Sequence, residues 1–172
     1  MTFCVERDPG IKECDLDIEG LFDLCARKAL QYTGCPFECE VDLTVTTDSE
    51  IRQLNRQFRD IDEPTDVLSF PLLEFEEPGR FDISEEDHMD CFDPESDELM
   101  LGSIVINLDR AEQQALSFGH SLKREMAFLI IHSMLHLQGF DHMEDNDRIV
   151  MEKAQEEILD DLGITREAAL EE

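Results

Sequence analysis

The stretch "IIHSMLHLQGFDH" (residues 130–142) decides how this chain is read, because it sets three of the protein's five histidines within eleven positions of an apolar segment. His132 and His136 are four apart, and on an α-helix that spacing stacks both rings on one face about one turn apart. His142 follows Gly139, a residue able to take the left-handed conformation that closes a helix and turns the chain back. The flanking residues, "SLKREMAFLIIHSMLHLQ" (121–138), read as one long buried helix that starts near Ser121 and is closed by Gly139.

A single histidine on an apolar helix is usually a satisfied core residue. Three at H-x3-H-x5-H are different, since burying three imidazoles without partners costs about a few kcal/mol each. A bound Zn2+ ion would satisfy all three and leave a fourth position open for water. Open three-ligand sites are the catalytic kind; they bring the pKa of a water toward about 7 and point to hydrolysis. The expectation is a metal site on the long buried helix, held by His132, His136 and His142.

The ligand spacing and the glycine match the zinc-peptidase pattern H-E-x-x-H-x-x-G-x-x-H. The position of its glutamate general base, however, is Ser133, whose hydroxyl is too weakly basic at pH 7. Phosphodiester cleavage needs positive charge for phosphate oxygens instead. "EIRQLNRQFR" (50–59) supplies it: Arg52, Arg56 and Arg59 fall at i, i+4 and i+7 of a predicted helix. Arg52 and Arg56 read as a solvated helix face, and Arg59, at the helix end, is the one placed to reach a site.

At 172 residues the chain suits a single domain with one core. Its net charge of −29 and pI near 4.2 predict a surface that repels nucleic acid and anionic membrane except where positive charge gathers locally. The longest apolar run, Met126 to Ile131, cannot cross a bilayer, and "MTFCVERDPG" lacks the basic start and apolar centre of a signal peptide. A cytosolic location without membrane contact is expected, with the six cysteines as free thiols and the Cys35–Cys39 pair in ordinary packing.

Elsewhere "TFCVE" (2–6), "CEVDLTVTT" (39–47), "DVLSFPLL" (66–73) and "LGSIVINLD" (101–109) read as strands. "DIEGLFDLCARKALQYTG" (17–34) reads as an amphipathic helix stopped by Gly34. Asp48 or Ser49 is expected to cap the next helix, whose apolar side is Ile51, Leu54 and Phe58. "RAEQQALSFG" (110–119) reads as a short helix. The last helix, "DRIVMEKAQEEILDDLG" (147–163), offers Ile149, Val150, Ala154, Ile158 and Leu162 as an inward stripe. The acidic segment 74–98 shows neither period and reads as a weakly ordered surface insertion in which His88 is solvated. Strands alternating with helices predict an α+β fold, a small mixed sheet covered by helices.

"LNRQFRDIDEPTDVLSFP" (54–71), "LGSIVI" (101–106) and "HSMLHLQGFDH" (132–142), in this order, resemble the YbeY-type endoribonucleases, bacterial rRNA maturation factors. The likeness spans roughly residues 40 to 160. It implies a four-stranded sheet ringed by helices and a metal-dependent endoribonuclease specific for single strands, acting in 16S rRNA 3'-end maturation and ribosome quality control. It further implies one zinc ion per chain on His132, His136 and His142, with Arg59 beside the substrate phosphate, so that Arg59 and His132 are the catalytic candidates. Implied partners are single-stranded rRNA and ribosomal particles or ribosomal proteins.

The chain departs from the family pattern at Ser103, where aspartate is common, at Ser133, where glycine is usual, and in the length of its acidic segment, which suits a basic partner. Asp141 reads either as an orienter of a ligand imidazole or as a turn former. Thr65 and Asp66 read as fixing the turn before their strand. Two other readings remain open: a zinc metallopeptidase-like hydrolase, and a ribosome assembly factor whose metal is structural.

Overall fold

The computed structural model describes residues 1–165; residues 166–172 of the single domain expected over 1–172 lie outside it. The elements are β1 (Thr2–Arg7), α1 (Ile18–Thr33), β2 (Cys39–Thr46), α2 (Asp48–Arg59), β3 (Val67–Pro71), β4 (Leu99–Asn107), α3 (Leu108–Phe118), α4 (Leu122–Leu137) and α5 (Asp145–Asp161), with a 3₁₀ turn at Met89–Cys91. The strands form one mixed sheet in the order β1-β2-β4-β3. The first three of these lie parallel, and β3 closes one edge antiparallel to β4. This is the expected α+β architecture with four strands.

The alternation in β2 works as read: Val41, Leu43 and Val45 are fully buried on the face that meets α1 and α4. In β4 the inward positions change parity, from Leu99 and Leu101 to Ile104 and Ile106. A bulge is the cause: Glu40 pairs with Met100 but Val41 pairs with Gly102, leaving Leu101 as an extra residue on β4. Gly102 is required there, because its φ is 143° and a Cβ would stand 2.2 Å from the carbonyl oxygen of Phe70. On the opposite face α2 lays Ile51 over Leu68 and Val105, a smaller second core.

Helix α4 is the central beam. Ser121 caps it by accepting the Arg124 N–H at 3.1 Å. Met126, Ala127, Leu129, Ile130, Ile131, Met134, Leu135 and Leu137 are all buried, covering most of its circumference. Beyond its first turn, only a stripe with Phe128, His132 and His136, spaced i, i+4, i+8, reaches toward solvent. Its end is pinned: Gln138, fully buried, donates to the Met134 carbonyl, and Thr33 at the end of α1 donates to Gln138 Oε1 at 2.6 Å.

Several expectations are corrected. The N-cap position of α2 is Thr47, whose side chain makes no capping bond, and Asp48 already lies in the helix, where its carboxylate accepts from Asn107 Nδ2 at 2.5 Å. Phe58 does not line an inward side; it is 58% exposed and meets Phe70 edge-on at 5.1 Å, while the buried positions are Ile51 and Asn55. In α5, Ile149 and Val150 face solvent, and the stripe is Met151, Ala154, Gln155, Ile158 and Leu159. That set runs i, i+3, i+4, i+7, i+8 without a gap; a polar residue in its middle disguised it.

The acidic segment is anchored by aromatic residues set among its carboxylates. Phe75 and Phe81 stack edge-on at 5.2 Å, Phe92 meets Phe37 at 5.5 Å, and Phe92 bridges to Leu99. Its first residues pack on the turn after α4, where Gly79 N–H donates to the Gln138 carbonyl at 2.8 Å.

Candidate metal centre

One turn of helix separates His132 from His136, and the chain must then double back to bring in the third ring. Gly139 makes that reversal at φ 89°, where a Cβ would meet Phe75 Cβ at 2.5 Å. Phe140 N–H then donates to Leu135 O at 3.0 Å, and Asp141 accepts the backbone N–H of His142 at 2.7 Å. Asp141 thus holds the turn through the next backbone N–H, and its charge also reaches His136.

The three rings converge. Their centroids are 4.6 Å (His132–His136), 5.0 Å (His136–His142) and 5.4 Å (His132–His142) apart. One nitrogen from each lies within 4.8 Å of the others, the only such donor group of His, Cys, Asp or Glu among the described residues; His88 stays outside it. His132 Nε2 and His136 Nε2 face each other at 3.0 Å. Two nitrogens bound tetrahedrally to one zinc at about 2.0–2.1 Å would stand roughly 3.3 Å apart, so this pair is already near ligand spacing. The three rings offer a donor set that could hold a metal ion.

Electrostatics favour the same use. Burial, then the neighbouring imidazoles, depress the His132 pKa from 6.5 to about 3. His136 is also lowered, chiefly by burial, and the positive charge of Arg59 adds to that lowering. Both rings are thus held neutral at pH 7, the form that ligates a cation. His136 Nδ1 lies 2.9 Å from the Phe140 carbonyl, which only accepts, so the proton belongs on Nδ1 and Nε2 is bare.

Arg59 stands exposed in the last turn of α2, where its charge is felt at His136. Arg52 pairs with Asp62 at 2.9 Å on a solvated face, as expected. Thr65 and Asp66 fix their turn: the Thr65 carbonyl accepts from Asn107 Nδ2 and the Asp66 carbonyl accepts the Asn107 N–H. Ser133 is fully buried and its hydroxyl has no partner among the described residues, so it offers no base to the histidines and the peptidase reading loses support. Ser103 pairs with Phe70 of β3 and Asp42 of β2.

A cleft of about 710 Å³ opens beside the triad between α4 and α5, lined by His132, His142, Phe128, Arg124, Arg148 and Gln155 among others. Phe128 stacks on His132 at 6.1 Å. Sequence reasoning missed Phe128 and Gln155. The first was detectable, four residues before His132 on the same helix face; the second was hidden by its place in a helix stripe read from apolar residues alone.

Fold and triad together define an α+β protein with a group of three histidines able to hold a metal ion. The family described as endoribonuclease YbeY matches residues 8–163. The chain is 48% identical over 166 residues to the endoribonuclease YbeY of Lachnoclostridium phytofermentans, spanning 96% of this chain and 100% of that one. To its counterpart in Agathobacter rectalis it is 46% identical over 168 residues, with the same coverage of 96% and 100%. The solution structure of TM1509 from Thermotoga maritima aligns at TM-score 0.53 and 26% identity, over 94% of this chain and 91% of that one. This chain belongs to the YbeY endoribonuclease family. No helix among the described residues is long and apolar enough to cross a membrane.

Proposed function

We propose that this protein is a zinc-dependent endoribonuclease that cleaves single-stranded rRNA in 16S 3'-end maturation and ribosome quality control, in the cytoplasm. The observation that carries the reading is the convergence of three imidazoles, two of them held neutral by burial, at the mouth of a cleft. Family membership supports RNA as the substrate.

His132, His136 and His142 would hold one zinc ion per chain. When bound, the ion supplies a Lewis acid for a phosphoryl oxygen and acidifies a water at neutral pH. Arg59 carries the positive charge that binds and orients a nonbridging phosphate oxygen as negative charge grows on it. Phe128 offers a flat apolar surface on which a splayed base can stack, which suits a single strand rather than a duplex. Arg124 and Arg148 bring positive charge to the cleft beside Glu152 and Glu156, on a chain whose net charge is −29. The exposed carboxylates of segment 74–98 suit ribosomal particles or ribosomal proteins with basic surfaces as partners.

The test uses purified protein and a single-stranded rRNA fragment with the 16S 3' end. About one zinc per chain is expected, with cleavage abolished by chelation or by His136→Ala and restored to the chelated wild type by zinc. Undiminished cleavage by metal-free protein, with contaminating ribonuclease excluded, would overturn the reading.

A further inference from the structure

Gln155 is a polar side chain in the buried stripe of α5, only 5% exposed and flanked there by Met151, Ala154, Ile158 and Leu159. An amide in such a place costs free energy unless it is hydrogen-bonded. Its Nε2 is placed 2.6 Å from His132 Nδ1, the ring nitrogen turned away from the other histidines, and a half-turn of the terminal bond would bring Oε1 to the same place. Every polar atom at this end of His132 is thereby accounted for.

Nε2 of His132, facing His136 Nε2 at 3.0 Å, is the atom directed at the cation position, and a ligating nitrogen carries no proton. The ring's single proton then belongs on Nδ1, and its partner must accept. A glutamine meets this with its carbonyl end, since Oε1 and Nε2 exchange places by a half-turn of the terminal bond. For His136 the Phe140 carbonyl does the same task.

We infer that Gln155 is a positioning residue of the metal centre, its Oε1 accepting the Nδ1–H of His132 and so selecting the tautomer and ring orientation in which Nε2 is free for a cation. The inference rests on the metal reading of the triad. It has a further consequence: an amide orients the imidazole without lending it charge, so a carboxylate at 155 would make a more basic ligand.

The test compares wild type, Gln155→Leu, Gln155→Met and Gln155→Glu, stripped of metal and titrated with Zn2+ against a chromophoric chelator. Co2+ visible spectra report the coordination, and melting of the metal-free proteins reports the fold. We expect the Leu and Met variants to bind Zn2+ roughly 10- to 100-fold more weakly with altered Co2+ spectra, although their metal-free forms melt no lower than wild type. The Glu variant should bind as tightly as wild type or more so. Wild-type affinity and spectrum in the Leu and Met variants would overturn the inference, as would a Glu variant weakened as much as they are. Should wild type itself bind neither ion, the metal reading fails first, a result the variants cannot imitate.

Discussion

Gly79 donates its backbone N–H to the carbonyl of Gln138 at 2.8 Å, which ties the acidic segment to the turn that delivers His142. Phe75 completes the contact by packing against the space where Gly139 lacks a side chain. The most charged part of the chain and the third ring of the triad are therefore braced on one another.

Gly139→Ala should break this brace. A left-handed alanine costs roughly 1–2 kcal/mol, and its methyl would also stand 2.5 Å from Phe75 Cβ. The expected outcome is a loss of at least about 2 kcal/mol in urea unfolding together with weakened zinc binding. A variant with wild-type stability and zinc affinity would show that the reversal tolerates other geometries.

The metal-free protein should carry a stability term that depends on His132. Its folded pKa lies near 3 against an ordinary 6.5, so the unfolded chain binds more protons between these limits. The contribution is present above pH 6.5 and is lost progressively as pH falls toward 3. Metal-free wild type should lose melting temperature relative to His132→Leu between pH 7.5 and pH 5.5, a window above the range in which most carboxylates titrate. Parallel profiles of the two proteins would contradict it.

Ser133→Ala should stabilise the protein. The serine hydroxyl is buried without a partner, and such a group costs about 1–3 kcal/mol. The alanine is also the better helix residue, by several tenths of a kcal/mol. Chemical denaturation should show a higher midpoint with an unchanged slope, and RNA cleavage should be unaffected. Lower stability or lost cleavage would mean that the hydroxyl has a task.

Arg59→Gln should separate chemistry from metal binding. Removal of one charge that stabilises a transition state lowers kcat by roughly 100- to 1000-fold, and Arg59 belongs to α2 rather than to the triad. Zinc content should remain at one per chain. Loss of zinc in this variant, or full activity, would each remove Arg59 from the proposed role.

Much of this arrangement was legible in the sequence because it is periodic. Val41, Leu43 and Val45 alternate as a half-buried strand must, and Gly34, Gly119 and Gly139 mark helix ends with positive φ. The triad was legible because its spacing is local. What escaped notice was tertiary: Gln155 reaches His132 across 23 residues, and Asn107 takes the Asp48 carboxylate across 59, a pairing invisible to any local rule for caps. In the acidic segment the charges outnumber the signal, and Phe75, Phe81 and Phe92 have no regular interval. Their anchoring on Phe37 and Gly139 arises only once the chain has folded.

The surplus residue Leu101 acts as a phase shifter for the strand beneath the central helix. Removing that one position would leave Leu99 opposite Cys39, Ile104 opposite Leu43 and Ile106 opposite Val45, so each paired residue would keep its face and only the bulge would be lost. A loss of two residues between Leu99 and Ile104 would instead slip the register by one and turn Ile104 and Ile106 toward the α2 side, so a single deletion should be better tolerated than a pair.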